Sequence, residues 1–533
     1  MTEPSPGPEK PASPSGSSDL LGRTILCFLI LWIPVYSLAS IHGDVFSPLP
    51  IVYSAGVFAV PALLCAAALG GVERRRRAVL LGVLVAFFLD LQMPGIGSLA
   101  LVAVAVGLGA LSWVLRENVL RILLATFATV LASMVLFPGT RAVPASDRAD
   151  DVATSEAADG GQGLYLHLLL DEFAGPSGMP MDFEATAAQR TRLVEFMAAY
   201  GFSVAEGSRA TYYSSVDSIS DVLNFGTLDP ENPIYSGKHP YVLEQNAYFE
   251  RLGDVRGALR VVQSDYMDFC THAPVELAAC RTYRHDGMGW IDGNAWDATS
   301  KTRILLGIYG NRQGWIEFVM KRVRRTHRAL ANAGLELPTI LAWNGTLAPL
   351  NGMEALEQLE RDVLAGPADA TWFAHLLVPH SPYVFEASCE IRRDPYRWLS
   401  NHPRYLKNND EAGRAIRYAQ YAEQMACTLD RLAGFFDALD RAGRLENATI
   451  LVQGDHGSRI SLVPLRDVDR EDETVPHARD VYDAIFAIRS PLTRDLPIDA
   501  KASLPSLLDG TSLSVLAPDS DEAAGRVAGT DPP

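Results

Sequence analysis

Four places in the chain gather acids, imidazoles or hydroxyls closely enough to do chemistry. In Gln453-Gly-Asp455-His456-Gly457-Ser458-Arg459 a hard carboxylate oxygen stands beside an imidazole nitrogen. That pairing is a common beginning of a divalent-metal site. Alone it does not outweigh a plain polar turn, and its weight comes from partners upstream. Asp171-Glu172 sets two acids in succession. In Pro379-His380-Ser-Pro382-Tyr383 two prolines hold an imidazole in a rigid turn, a setting suited to presenting it to a site. A turn histidine with no duty is the blander alternative. The last, Thr211-Tyr-Tyr-Ser214-Ser215-Val-Asp-Ser-Ile-Ser-Asp-Val-Leu-Asn224, is dense in hydroxyls. Read by itself as a loop entering a helix, it is better explained by N-capping, for which Ser and Thr are preferred, than by nucleophilic attack.

These residues need elements to hold them. Ile450, Leu451 and Val452 read as a short buried strand that stops just before Asp455. Leu164–Leu170 is a nearly continuous apolar run, as in a strand buried on both faces of a parallel sheet, and it ends at Asp171. His167, inside that run, reads as a packed core histidine. Further strands are expected at Leu259–Val262, Trp372–Val378 and Ala484–Ile488. Helices separate them. The clearest covers Glu411–Ala442, with Met425, Leu429, Leu432, Phe436 and Leu439 along one face. Alternating strands and helices predict an α/β domain around a mostly parallel sheet. Such sheets bind ligands beyond the carboxyl ends of their strands, where Asp171, His380 and Asp455 fall.

Ahead of this domain lie five apolar segments: Thr24–Ile41, Pro50–Gly71, Ala78–Met93, Gly95–Leu115 and Val119–Phe137. Each approaches the ~20 residues a helix needs to cross a bilayer; the third is short and carries Asp90. Arg74 to Arg77 lie between the second and third, and Arg116 and Arg121 flank the turn from fourth to fifth. The positive-inside rule then sets the N-terminus in the cytoplasm and everything after Phe137 on the far side of the inner membrane, periplasmic or extracellular. The expected organisation is residues 1–20 as a disordered N-terminus, 21–138 as five transmembrane helices, 139–163 as a linker, 164–510 as the exported catalytic domain, and 511–533 as a loose tail. A net charge of −17 excludes nucleic acid as a partner. Of six cysteines, Cys27 and Cys65 lie in membrane segments. Cys270, Cys280, Cys389 and Cys427 lie in the exported part, where disulfides persist. Three pairings are open; Cys270 with Cys280, closing a short loop, and Cys389 with Cys427 is the preferred one.

Taken in order, these motifs resemble the sulfatase-like branch of the alkaline phosphatase superfamily over roughly Tyr165–Pro491. The membrane layout is similar to that of lipoteichoic acid synthases and related phosphoglycerol transferases, and Pro379-His380-Ser-Pro382-Tyr383 is similar to their His-x-Pro-Tyr element. The resemblance implies a multi-pass α-helical membrane domain followed by an alkaline phosphatase/sulfatase-like α/β domain. It makes Asp171, Asp455 and His456 metal ligands, with Glu172 as a further candidate, and His380 a group that contacts the transferred group or protonates the leaving oxygen. Counted back from Leu223-Asn224, the nucleophile falls on Ser215, with Ser214 and Thr211 as fallbacks. Arg459 and Ser214 would bind substrate. His477 could add a ligand but reads more readily as a surface residue. Three oxygens and an imidazole suit one divalent ion, manganese, magnesium or calcium, with zinc also compatible.

The implied reaction moves a phospho-head group from a membrane lipid to an envelope glycan through a phospho-serine. A sulfatase or phosphodiesterase acting on soluble esters is one rival. A non-catalytic envelope scaffold is the other. Ser214 and Ser215 are followed by Val216 and Asp217 rather than the C/S-x-P-x-R context of sulfatases, which argues against sulfate esters.

Overall fold

The computed structural model describes residues 16–136 and 163–516, apart from short internal stretches and longer ones at 311–321, 331–346, 402–409 and 492–501. The expected linker, most of the disordered N-terminus and most of the tail lie outside the described residues. The chain divides into two compact units, one formed by Met1–Ala142 with Ala295–His327, the other by Val143–Asn294 with Arg328–Pro533.

Among the described residues the first unit begins with five helices where five apolar segments were expected: α1 (Gly16–Ile41), α2 (Pro48–Gly71), α3 (Arg74–Gln92), α4 (Ser98–Leu115) and α5 (Asn118–Leu136). Two spans within them, Leu20–Ala39 and Leu49–Gly71, are long and apolar enough to cross a bilayer. The apolar runs Leu99–Leu115 and Asn118–Met134 are shorter. Leu26, Ile30, Ala62, Leu81 and Phe127 pack inside the unit, whereas Val60, Leu64, Leu99, Val106 and Val114 point outward uncovered. Water penalises so much exposed apolar surface, and lipid does not. A sixth helix, Ala298–Gly310, joins this unit although the sequence reading assigned it to the α/β domain. Its Tyr309 ring meets Phe58 edge-on at 5.7 Å between centroids. Its Thr302 hydroxyl donates to the Pro50 carbonyl at 3.4 Å.

Among the described residues the second unit has nine strands: β1 (Tyr165–Leu170), β2 (Ser203–Val204), β3 (Tyr241–Val242), β4 (Leu259–Ser264), β5 (Met267–Asp268), β6 (Leu277–Tyr283), β7 (Thr371–Leu376), β8 (Thr449–Gly454) and β9 (Phe486–Arg489). Seven form one sheet in the order β2-β9-β8-β1-β7-β4-β6, and β3 pairs with β5 apart from it. Within this sheet β9 alone runs opposite to the other strands, antiparallel to both β2 and β8. The expected strand at Ala484–Ile488 therefore forms later and reversed: Ala484 makes only an isolated bridge to Ala174, and Phe486–Ile488 pair backwards with β8. β1 lies at the centre, fully buried, which is why its sequence shows no alternation.

Side chains still alternate across β1. Tyr165, His167 and Leu169 face a core that includes Ile219 and Tyr248, and the His167 Nδ1 lies 3.0 Å from the Tyr248 hydroxyl. Burial holds the His167 imidazole down to about 3, so it is neutral, as a core histidine should be. The long helix spans Glu411–Arg441, capped by the Asp410 carboxylate on the Gly413 N–H. Leu429, Leu432, Phe436 and Leu439 are all buried, each contributing ~1.5–3 kcal/mol. Phe436 packs its ring against Phe196, Tyr200 and Phe202, and truncation to Ala there would cost ~3–5 kcal/mol. The structure joins Cys270 to Cys280 and Cys389 to Cys427.

Candidate active site and metal centre

Strand register creates the site. β1 pairs in parallel with β8, Leu170 opposite Gly454, and with β7, Leu170 opposite Leu376. The next residues of β1 and β8, Asp171 and Asp455, therefore emerge side by side. The Asp171 N–H still bonds the Leu376 carbonyl at 3.0 Å, so its backbone is fixed by the ladder. Gly457 has to be glycine, because a Cβ there would stand 2.5 Å from the Asp480 carbonyl oxygen.

Asp171, Asp455 and His456 are buried, and one ligand atom from each lies within 4.8 Å of the others. His456 Nδ1 donates to the Gly457 carbonyl at 2.9 Å, which orients the ring with Nε2 toward the carboxylates. That Nε2 lies 3.0 Å from Asp455 Oδ2 and 3.8 Å from Asp171 Oδ1. Asp455 Oδ1 accepts the N–H groups of Glu172 and His456. Asp171 Oδ1 has no hydrogen-bond partner although it is buried. A buried carboxylate oxygen without a donor costs heavily unless a cation answers it. Two hard oxygens, one imidazole and an orphaned lone pair fit a divalent ion. Burial would raise the Asp171 pKa, but His380, His375, His456 and Arg459 outweigh it and hold the carboxyl well below the usual range. Its charge is therefore always available.

Ser215 is the first residue of the helix Ser215–Leu223. Its Oγ lies 3.0 Å from His456 Nε2, inside the cluster. Ser214 occupies the N-cap, yet its side chain makes no capping bond. Capping, the better explanation of this segment read by itself, is thus not what these serines do. Ser218, one turn on, donates to the Asp455 carbonyl at 2.5 Å and ties the helix to the β8 turn.

Glu172 is also buried, in a left-handed backbone conformation (φ 60°), but it points to the other side. Its Oε1 accepts from Arg459 and from Asn401 Nδ2 at 2.6 Å, and its Oε2 accepts the Ser381 N–H at 2.9 Å. His380 Nε2 lies 3.8 Å from Glu172 Oε1 at the partly exposed mouth. Gln424 of the long helix holds the His380 turn, donating to the Pro379 and His380 carbonyls and accepting the Val384 N–H. The Val378–Pro379 and Ser381–Pro382 peptide bonds are cis. His477, expected at the surface, is largely covered, lies 3.7 Å from Asp480, and belongs to neither group of converging ligand atoms.

Sequence reasoning missed His375. It is fully buried on β7, with Nε2 3.9 Å from Asp171 Oδ2, and neither ring nitrogen has a hydrogen-bond partner. An ionisable side chain inside an otherwise apolar strand was the available signal, since such a group needs a partner.

No family model matches the sequence, and no curated protein matches it. Solved structures do. The C-terminal periplasmic domain of EcEptC from Escherichia coli, in complex with Zn, is 13% identical over 67% of this chain and 83% of that one, with TM-score 0.37. Phosphonate monoester hydrolase SpPMH from Silicibacter pomeroyi is 16% identical over 70% and 78%, TM-score 0.40. The putative sulfatase yidJ from Bacteroides fragilis is 10% identical over 71% and 81%, TM-score 0.35. The second unit is an α/β domain with a mostly parallel sheet and its acids, hydroxyl and imidazoles gathered beyond the strands' carboxyl ends.

Proposed function

We propose that this protein is a membrane-anchored, metal-dependent phosphoester hydrolase or transferase that works through a serine nucleophile. The observation that carries the reading is Ser215 Oγ lodged against the Asp171–Asp455–His456 cluster. A hydroxyl meant only for capping would face its own helix N-terminus.

A divalent ion bound there would lower the pKa of the Ser215 hydroxyl and offset charge on the phosphoryl oxygens. Asp171, Asp455 and His456 would hold it. Ser215 sits at the positive end of its helix, which further favours its anion. Its oxygen attacks phosphorus, and the helix keeps that oxygen on one approach line. Arg459, clamped by Glu172, presents its guanidinium to the non-bridging oxygens. His380, whose Nδ1 contacts the Ser381 carbonyl, keeps Nε2 free to deliver a proton to the leaving oxygen. A phospho-serine forms and passes to an acceptor hydroxyl or to water.

The apolar helices give the wider assignment. All five crossing the bilayer, with Arg74–Arg77 on the cytoplasmic side, would put the α/β domain in the periplasm or outside the cell. Substrate would then be a lipid head group arriving by diffusion in the leaflet, and the acceptor an envelope glycan. Val216 and Asp217 after Ser215 favour phosphoesters over sulfate esters. The deciding experiment takes the detergent-purified full chain, wild type beside Ser215→Ala and Asp455→Ala. Metal content, turnover of an aryl phosphodiester against an aryl sulfate, and phosphate on Ser215 by mass spectrometry are measured. One bound ion, lost with Asp455→Ala, and diester turnover lost with both changes is the expected result. A wild type that holds no ion and hydrolyses neither ester would end the enzyme reading.

A further inference from the structure

The helix Ala298–Gly310 stands in the α/β part of the sequence but belongs to the unit of α1 to α5. Two contacts fix how it lies on α2. The Thr302 hydroxyl donates at 3.4 Å to the carbonyl of Pro50, near the start of the bilayer-length span Leu49–Gly71. Two turns further on, Tyr309 meets Phe58 edge-on at 5.7 Å between centroids. Pro50 to Phe58 is about 12 Å along a helix axis and Thr302 to Tyr309 about 10 Å, so the two helices run side by side in the same direction. At the level of Phe58, α2 leaves Val57 and Val60 uncovered, 52% and 64% exposed, a surface suited to lipid. The charge of the helix Ala298–Gly310 changes along the same line. Asp297, which accepts the Ser300 N–H, Lys301 and Arg303 stand at its Pro50 end. From Ile304 to Tyr309 it carries no charge, and Ile304, Leu305 and Tyr309 are buried. After Gly310 the sequence runs this gradient in reverse. Trp315, Ile316, Phe318, Val319 and Met320, with one acid among them, precede Lys321, Arg322, Arg324 and Arg325.

We propose that the helix Ala298–Gly310 is a re-entrant element whose partner is the phospholipid leaflet. It enters the bilayer from the exported side beside α2, its apolar half lies in hydrocarbon down to the level of Phe58, and Lys301 and Arg303 meet lipid phosphate groups. The inference rests on the membrane reading above, in which α1 leads out of the cytoplasm and α2 starts on the exported side. Its 13 residues are too few to span the ~30 Å hydrocarbon core, and apolar segments of this length suit re-entry. A depth of about 12 Å stays within one leaflet. A helix bonds its own backbone N–H and C=O groups, the condition for lying in hydrocarbon. Long cationic side chains at its outer end reach the head groups while their stems stay in the apolar layer. The α/β part of the chain is then tied to the leaflet by its own insert as well as through α5.

Depth in the bilayer tests this independently of activity. The full chain is placed in vesicles of phosphatidylethanolamine and phosphatidylglycerol, with Cys27→Ser and Cys65→Ser replacing its free thiols. Single cysteines are introduced as Arg303→Cys, Leu306→Cys, Ile308→Cys and, on α2, Val57→Cys, and each is spin-labelled. Power saturation with oxygen, which concentrates in hydrocarbon, against a water-soluble nickel chelate ranks the labels by depth. Ile308→Cys should share the oxygen preference of Val57→Cys and lie about 7 Å deeper than Arg303→Cys, which should meet the nickel chelate. Ile308→Cys as open to nickel as Arg303→Cys, with Val57→Cys in hydrocarbon, overturns the inference and leaves the membrane reading standing. Val57→Cys open to nickel overturns both. Where Ile308→Cys does not fold or is closed to both reagents, Leu306→Cys is read the same way. A label there deeper than at Arg303→Cys supports the inference, and one level with it rejects it.

Discussion

Asp171 and Glu172 are neighbours in sequence, equally buried, and opposite in circumstance. On the Asp171 side, polar groups are left short of partners: an orphaned carboxylate oxygen on each of Asp171 and Asp455, and a His375 ring with neither nitrogen bonded. On the Glu172 side, the carboxylate oxygens meet donors from Arg459, Asn401 and Ser381. An unsatisfied buried cluster is costly unless something from outside completes it, whereas a satisfied one is finished. The difference separates a place that takes a ligand from a place that shapes it.

That contrast breaks most severely at its reactive centre. Ser215→Ala should lower phosphodiester turnover on the order of 10⁴-fold or more while the bound ion remains. Asp455→Ala should lose turnover and ion together. If Ser215→Ala kept most of its rate, the hydroxyl beside His456 would be structural. A smaller loss is expected at His375. Its replacement by Ala should weaken Mn2+ binding ~10–100-fold, as removal of a group that orients a ligand does, with His375→Gln recovering part of it. Unchanged affinity in an equilibrium titration would exclude His375 from supporting Asp171.

On the satisfied side the expected effects fall on stability. Gln424→Ala strips the Pro379 and His380 carbonyls and the Val384 N–H of their partner, and should destabilise the fold by ~1–3 kcal/mol by denaturant titration. Its metal stoichiometry should stay at wild type. The gentlest test lies inside β1. With the folded His167 pKa down to about 3 and the unfolded value near 6.5, the unfolded chain takes up the proton first as pH falls. The stability this residue allows is complete above about pH 6.5 and is lost progressively toward pH 3, by up to ~1.4 kcal/mol per pH unit. His167→Asn should flatten that part of the pH–stability curve. A slope identical to wild type would mean that His167 is not a neutral core group.

Much of this was legible in the residues. β1, β4, β7, β8 and the long helix announce themselves by largely apolar runs or by a buried stripe, because burial on both faces leaves a strand no reason to alternate. Asp171, Asp455, His456 and His380 were visible as polar groups just past such runs. β9 was misjudged by two residues and its reversed direction was unreadable, since an antiparallel neighbour is chosen by pairing and not by composition. β2 and β3, two residues each, are too short to carry a pattern. His375 went unnoticed inside its strand, and Asn401 and Gln424 act across long sequence distances.

The sequence by itself determined which groups could react and that they follow buried strands, because hydrophobic periodicity and residue chemistry are local properties. Only the tertiary structure decided which of them meet. The register of β1 against β7 and β8 put Asp171 beside Asp455 and His456, and the helix after Tyr213 brought Ser215, not Ser214, against that imidazole. It also turned Glu172 away from Asp171 to bind Arg459, 287 residues later in the chain. Contacts over such distances depend on how strands align and which way a backbone turns, and no local pattern encodes either.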